Sequence, residues 1–274
     1  MANNVYSISE NLEEFQQGIQ ANLSQGLDLI GTTYGDGRWI ASYQDTPGLS
    51  SFYSASSPDE LIQTVQQGWN QGYSLTGVEY GDDGVWFGTF QQATVANAVQ
   101  YTTSLAELEQ TIQQGWNQGW DLVDVEYGDG IWFGTFNDVP GLNGYETASS
   151  IGEFEQDIQN MWNKGLGLVD VEYGDGIWFG TFQEDSSIRT GYTGGSTFDE
   201  LVGNFRQKFA NQGYELVDVE YGDGGWLGVV EKETSQNAFE NPTLYPLATE
   251  LGIQENVVLQ GTLDFYNSAT YWGD

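Results

Sequence analysis

The chain has 274 residues, with 40 acidic against six basic side chains, a formal net charge of −34, and neither cysteine nor histidine. This charge excludes nucleic acids and anionic membrane surfaces as natural partners, because both require clustered lysine and arginine. Without cysteine or histidine there are no thiol nucleophiles, disulfides, zinc-type sites or neutral-pH histidine shuttles. The N-terminal residues lack the basic and apolar regions of a signal peptide, and no apolar run is long enough to span a bilayer. We therefore expect a soluble protein, either cytoplasmic or exported without an N-terminal signal.

One sequence unit occurs five times. LVDVEYGDGIWFGTF stands at 122–136 and again, unchanged, at 168–182, with weaker copies at 29–43, 75–90 and 216–230. The tyrosine before each glycine turn recurs every 46 to 48 residues, at Tyr34, Tyr80, Tyr127, Tyr173 and Tyr221. A fixed period of this size indicates a repeat architecture. We expect one repeat domain over residues 1–232, with modules at about 5–45, 51–92, 97–138, 143–184 and 190–232.

Each unit reads in chain order as a short strand, a helix and a hairpin. A helix start is predicted where a capping residue precedes a glutamate by three positions, because the two side chains can bond the free amides of the first turn. These capping residues are Asn11, Ser57, Ser104, Ser150 and Thr197. Glycines predicted to end the helices follow at Gly26, Gly72, Gly119, Gly165 and Gly213. Each unit is therefore a βαββ module.

The hairpin of the third unit turns at Asp129-Gly130, a pair typical of a type I′ turn. The predicted register pairs Tyr127 with Trp132, Val125 with Gly134 and Val123 with Phe136, which gives an aromatic face for the helix to cover. The opposite face would carry Leu122, Asp124, Glu126, Ile131, Phe133 and Thr135. On this interpretation most of the ten tryptophans are core, including Trp69, Trp116 and Trp162 on the helix stripe, whereas Phe87, Phe133 and Phe179 are candidates for exposure.

A helix between two strands of one sheet is a crossover, so the first and second strands should be parallel and each sheet mixed. One helix on a three-stranded sheet leaves the other sheet face uncovered, so neighbouring modules must cover it. The expected fold class is α/β (α+β repeats), with five βαββ modules closed into a pseudo-five-fold α/β-propeller, helices outside and mixed sheets inside. Residues 233–274 form a separate tail without lysine or arginine, predicted to close the ring or cover an edge.

Two resemblances follow from these patterns. The five-module layout over residues 5–232 resembles the pentein (α/β-propeller) architecture. The catalytic penteins use cysteine, histidine and acidic residues, so the resemblance brings no chemistry to a chain without the first two. The pattern Trp116-Asn117-Gln118-Gly119-Trp120, followed by Tyr127-Gly128-Asp129-Gly130-Ile131-Trp132, is similar to an uncharacterised tandem repeat in some plant casein-kinase-like proteins. That similarity implies no known activity.

The acidic face carries the candidate site. Pairs of carboxylates two residues apart recur in successive units and would converge if this face lined a central channel. The candidate ligands are Glu79, Asp124, Glu126, Asp170, Glu172, Asp218 and Glu220. Oxygen-only ligands suit Ca²⁺ or Mg²⁺, so a calcium site is one hypothesis and a merely solvated acidic face is the other. The first unit has Gly31 and Thr33 at these positions, so the site cannot be five-fold symmetric.

These observations favour a non-enzymatic binding or assembly module with a divalent cation, and an unidentified protein or glycan, as partners. The first alternative is a carbohydrate-binding protein that uses clefts between modules or the turn tips at Asp36, Asp82, Asp129, Asp175 and Asp223. A hydrolase that uses one Asp/Glu pair is the second, although repetition of the pair in three units favours binding over catalysis.

Overall fold

The computed structural model describes residues 5–44, 50–81, 83–92, 97–138, 143–184, 190–209 and 212–232. The tail at 233–274, for which a closing strand was predicted, lies outside these ranges. No helix within them is long and apolar enough to cross a bilayer.

The described residues form five modules of strand, helix and two further strands, as the sequence predicted. The first module comprises β1 (Val5–Ser9), α1 (Leu12–Ser24), β2 (Asp28–Gly35) and β3 (Arg38–Gln44). The second comprises β4 (Ser50–Ala55), α2 (Pro58–Asn70), β5 (Tyr73–Gly81) and β6 (Val85–Gln92). The third comprises β7 (Asn97–Thr102), α3 (Leu105–Gln118), β8 (Asp121–Gly128) and β9 (Ile131–Asn137). The fourth comprises β10 (Asn143–Ala148), α4 (Ile151–Asn163), β11 (Leu166–Gly174) and β12 (Ile177–Glu184). The fifth comprises β13 (Thr190–Gly195), α5 (Phe198–Lys208), β14 (Tyr214–Gly222) and β15 (Gly225–Lys232).

Each module forms a three-stranded sheet in which the last strand lies in the middle, as in the order β1-β3-β2. All strand pairs are antiparallel, so the prediction of mixed sheets was wrong. The crossover through the helix does return the second strand in the direction of the first. The hairpin then inserts the third strand between them, so the two never pair directly.

The predicted helix starts are confirmed, as are the predicted ends of α1 to α4. Asn11, Ser57, Ser104, Ser150 and Thr197 each accept a hydrogen bond from the amide of the glutamate three residues later. Glu60, Glu107, Glu153 and Glu200 also accept a hydrogen bond from the residue before the cap, one position further back than in a capping box. Glu60, for example, accepts from the amide and hydroxyl of Ser56, at 2.8 and 2.7 Å. The five predicted terminal glycines all have φ between 77° and 85°. Helix α5, however, already ends at Lys208 with Phe209 as its cap, so the prediction that Gly213 ends it was wrong.

The hairpins turn as predicted, since Asp129 and Gly130 have φ of 50° and 75°. Tyr127 pairs with Trp132 and Val125 with Gly134, but Leu122, not Val123, pairs with Phe136. A β-bulge between Leu122 and Asp124 causes this shift and recurs in all five modules. The bulge turns Leu122 onto the helix face, where it is fully buried with Leu108 and Phe136. The predicted placement of Leu122 on the acidic face was therefore wrong.

The face opposite each helix is covered by the preceding module. Phe87, Phe133 and Phe179 are fully buried, so their predicted exposure was wrong. Phe133 belongs to the hydrophobic cluster of the second module, and Phe179 to that of the third. Ile40 of the first module lies in the cluster of the fifth. Each core is therefore shared across a boundary between modules.

The second strand of each module lies against those of its two neighbours. Strands β2, β5, β8, β11 and β14 contact one another in that order, and β14 also contacts β2. At the boundary between the fifth and first modules, the Thr33 hydroxyl donates a hydrogen bond to the Val219 carbonyl at 2.7 Å. These five strands, called the inner strands below, position the candidate site.

Candidate functional site: an axial cavity lined by carboxylates

The inner strands enclose one cavity of about 110 Å³, called the axial cavity below. All seven carboxylates proposed from the sequence line it: Glu79, Asp124, Glu126, Asp170, Glu172, Asp218 and Glu220. They form two tiers because they occur two residues apart on each strand. The Asp tier has three members, with Gly31 and Gly77 in the other two modules, and the Glu tier has four, with Thr33 in the first module. Two residues along a strand separate the tiers by about 6.6 Å.

Most of these carboxylates bond a backbone amide of the preceding module. Asp124, Asp170 and Asp218 accept through Oδ2 from the amides of Val78, Val125 and Val171, at 3.2, 3.1 and 2.9 Å. In the Glu tier, the Tyr80 amide donates to Glu126 Oε1 at 3.0 Å. The Tyr34 amide likewise bonds Glu79, and the Tyr127 amide bonds Glu172. The carboxylates thus link neighbouring inner strands. The sequence pattern does not predict this structural role.

Two aspartates of this cavity accept a second hydrogen bond from their own sheet. Thr135 donates to Asp124 Oδ2 at 3.4 Å, and Thr181 donates to Asp170 Oδ2 at 3.3 Å. Each threonine lies directly opposite its aspartate in the strand pairing. These threonines were assigned to the correct face by alternation alone, but their role as donors was missed.

Glu220 is 8% exposed and lines the axial cavity. Its surroundings act against ionisation, because burial and the charges of Glu172, Glu79, Asp218 and Asp170 all raise its pKa. An ionised carboxylate that is buried among other carboxylates requires compensation from a proton, water or a cation.

Burial is the main reason why the pKa of every carboxylate in the axial cavity is raised. It raises the pKa of Asp124 to about 7 with help from the charge of Asp218, against hydrogen bonds from Val78 and Thr135. It raises the pKa of Asp218 to about 6, against hydrogen bonds from the amides of Val171 and Val219. The pKa values of the other five, Glu79, Glu126, Asp170, Glu172 and Glu220, are raised well above their usual range by burial and mutual repulsion.

No lysine or arginine lines the axial cavity, so its charge must be balanced from solution. Among the described residues, no group of three or more acidic side chains is already arranged to hold a metal ion. Several carboxylate oxygens are turned toward the amides of the neighbouring strand instead. A cation here would keep water in part of its coordination shell, as Mg²⁺ commonly does, or would require the longer glutamates to rotate.

The other predicted sites lie outside this cavity. Asp36, Asp129, Asp175 and Asp223 are exposed at the hairpin tips, where positive φ values account for their presence in the turns. Asp82 lies outside the described residues. Trp39, Trp86, Trp132, Trp178 and Trp226 are buried as predicted. Trp69 is 36% exposed, and Trp116 and Trp162 are half-buried, so the prediction that they are core was too broad.

Comparisons with models of protein families and with curated protein sequences gave no match. Neither resemblance inferred from the sequence pattern is therefore supported by a family.

Proposed function

We propose that this chain is a non-enzymatic binding and assembly module that takes up divalent cations along its axis. Its five modules would form a closed pseudo-five-fold ring of the propeller type, with the helices outside and the inner strands around the axis. Contacts between β14 and β2 support closure, as does the place of Ile40 in the fifth module's core.

The observation that carries the proposal is the convergence of seven carboxylates, five buried and two half-buried, on one cavity without a basic side chain. Seven ionised groups so close together cannot all remain charged without counter-ions. Burial first, and repulsion between most of them second, raises their pKa values. Hard divalent cations prefer such all-oxygen surroundings. Glu220, which is buried and lines the cavity among other carboxylates, is one candidate ligand.

The size of the cavity narrows the ligand class. Sites for organic ligands measure roughly 300–1,000 Å³, whereas this cavity measures about 110 Å³. It accommodates several water molecules or a hydrated ion, since a single water needs about 10–15 Å³. A sugar or peptide does not fit there, which favours cation binding over hydrolysis by an axial Asp/Glu pair.

Calorimetric titration of the metal-free chain with CaCl₂ or MgCl₂ tests the proposal. We expect saturable binding in wild type and its loss in Asp124→Asn/Glu126→Gln. The matched control is Asp129→Asn/Asp175→Asn, which removes the same charge from two exposed hairpin tips, where asparagine tolerates positive φ. Binding that is absent in wild type, or weakened equally by both double variants, would contradict a site in the axial cavity.

A further inference from the structure

The exposure of the lining residues changes along the length of the axial cavity. Every member of the Glu tier is buried, with exposed fractions between 4% and 8%. In the Asp tier, Asp124 and Asp218 are half-buried and Asp170 is 7% exposed. The depth therefore increases from the Asp tier to the Glu tier, which indicates that the cavity is reached from the Asp side.

The bulge residues stand at that side. Each bulge inserts one residue immediately before the position of the Asp tier, and all five inserted residues line the axial cavity. They are Ile30, Thr76, Val123, Val169 and Val217, called the collar below. Thr76 is exposed and the other four are half-buried. Among the sets of equivalent positions that line the cavity, the collar is the most exposed.

The composition of the collar contrasts with that of the tiers behind it. Four of its five side chains are apolar and β-branched, whereas the next two positions along the axis are rich in carboxylates. An apolar constriction slows the passage of ions because they must shed water to cross it, and rings of carboxylates attract cations behind it. The bulge explains the arrangement, since regular alternation would have placed these side chains on the opposite face.

We propose that the collar is the mouth of the axial cavity and sets the rate at which small hydrated cations reach the carboxylates. This inference rests on the proposed function. Cations pass the collar, meet the Asp tier and then the Glu tier, all four members of which are buried. The collar acts on the rates of binding and release, whereas the carboxylates determine affinity.

A second route must be distinguished from this one. A smaller cavity of about 20 Å³ lies at the boundary between the fifth and first modules and shares Gly31, Thr32, Val217, Asp218 and Val219 with the axial cavity. Ile40 and Ser42 line it, and they are smaller than Phe133 and Thr135 at the equivalent positions of the third module. Its volume admits about one water molecule, so we expect it to contribute little to cation exchange.

The test is stopped-flow kinetics of Mn²⁺ binding, and of Mn²⁺ release to a chelator, on the full chain. Val123→Thr/Val169→Thr makes the collar polar with little change of shape, and we expect both rates to rise about tenfold, equivalent to ~1.4 kcal/mol in the barrier. Val123→Phe/Val169→Phe should lower both rates. The equilibrium affinity should stay near that of wild type in each case.

Two controls separate the possible outcomes. Ile40→Phe fills the boundary cavity and should leave the rates unchanged. Val85→Thr makes the same valine-to-threonine change at a half-buried hairpin position outside the axial cavity, so it controls for the substitution itself. Tight Mn²⁺ binding with unchanged rates in both collar variants, or slower exchange in Ile40→Phe alone, would overturn the collar and leave the proposed function standing. If wild type binds no Mn²⁺, the proposed function fails and the collar fails with it.

Discussion

Asp170 Oδ2 accepts a hydrogen bond from the Val125 amide at 3.1 Å, across the boundary between the third and fourth modules. The inner strands lie side by side without a backbone ladder between them in the sheet pairing. A side-chain carboxylate therefore accepts the amide hydrogen bond that a backbone carbonyl would accept in a continuous sheet. The same device recurs between Asp124 and Val78 and between Asp218 and Val171. The acidic residues are thus structural connectors as well as candidate ligands.

The first prediction separates these two roles at Asp170. Asp170→Ala should destabilise the fold by about 1–3 kcal/mol, because it leaves the Val125 amide and the Thr181 hydroxyl without their acceptor. Asp170→Asn keeps an acceptor oxygen and removes a repelled charge, so it should cost less. Urea unfolding of both variants in metal-free buffer gives the comparison. Equal losses in the two variants would show that the charge, not the hydrogen bond, stabilises the boundary.

The second prediction concerns the core. Trp132 is 1% exposed under its helix and lies 4.8 Å from the Tyr127 ring, so Trp132→Ala should cost about 3–5 kcal/mol. Trp69, at 36% exposure, is the matched control, and Trp69→Ala should cost much less. Chemical denaturation measures both. A Trp132→Ala variant that unfolds with the wild-type midpoint would contradict the helix-face assignment.

The third prediction tests the contact between modules at the hairpin end. A Cβ at Gly128 would overlap the Tyr80 ring of the preceding module, and the corresponding overlap joins Gly35 to Tyr221. Gly128→Ala should therefore destabilise the fold strongly. Gly203 lies inside α5 with nothing within 4 Å of a built Cβ, so Gly203→Ala should stabilise by roughly 0.5–1 kcal/mol. Thermal unfolding should shift in opposite directions, and a neutral Gly128→Ala would refute the close contact.

Local chemistry explains which features could be predicted from the sequence. The cap at Ser104 and the turn at Asp129-Gly130 depend only on residues a few positions away. The local sequence is therefore sufficient to predict them. The bulge at Val123 has no such signal, because LVDVEY alternates equally well with or without an extra residue. Alternation places Phe133 on the correct face but favours its exposure, because the residues that bury it belong to another module.

The candidate site shows the same division. Alternation placed Asp124 and Glu126 on one face, and the repeat implied that their copies would meet if the modules surrounded an axis. The amides of Val78 and Tyr80 that bond these carboxylates lie 46 residues away in sequence. Which backbone amides faced them depended on how neighbouring modules are rotated, and no local pattern encodes that rotation.

The fourth prediction is the pH dependence of stability without metal. Folding raises the pKa of Asp124 from 3.8 to about 7 and that of Asp218 to about 6, so the folded state binds more protons than the unfolded chain between these values. Their contribution is fully present below the unfolded pKa and is lost as the pH rises through the folded values. The free energy of unfolding in EDTA should therefore increase from about pH 8 to about pH 5.

Carboxylates at the helix starts limit this gain at lower pH. Hydrogen bonds from Ser56 lower the pKa of Glu60, and those from Ser196 lower that of Glu200. Their contribution is present above the unfolded pKa and is lost as the pH falls through the folded value. Stability that rises steadily from pH 5 to pH 8 in EDTA would show that the axial carboxylates are not repelled in the folded protein.

The last prediction is that millimolar CaCl₂ stabilises the fold through the axial cavity. A ligand that binds only the folded state raises the free energy of unfolding by about 2.7 kcal/mol at a hundredfold excess over Kd. Screening of the net charge of −34 competes as an explanation, but it requires roughly 0.1 M salt, whereas site binding saturates at low concentration. Melting curves in CaCl₂ should therefore shift further than those in NaCl of equal ionic strength, and Asp124→Asn/Glu126→Gln should lose the difference. The shift should also shrink near pH 5, because protons compete for the same carboxylates. Equal shifts in the two salts, or an unchanged calcium response in the double variant, would identify the axial carboxylates as structural connectors alone.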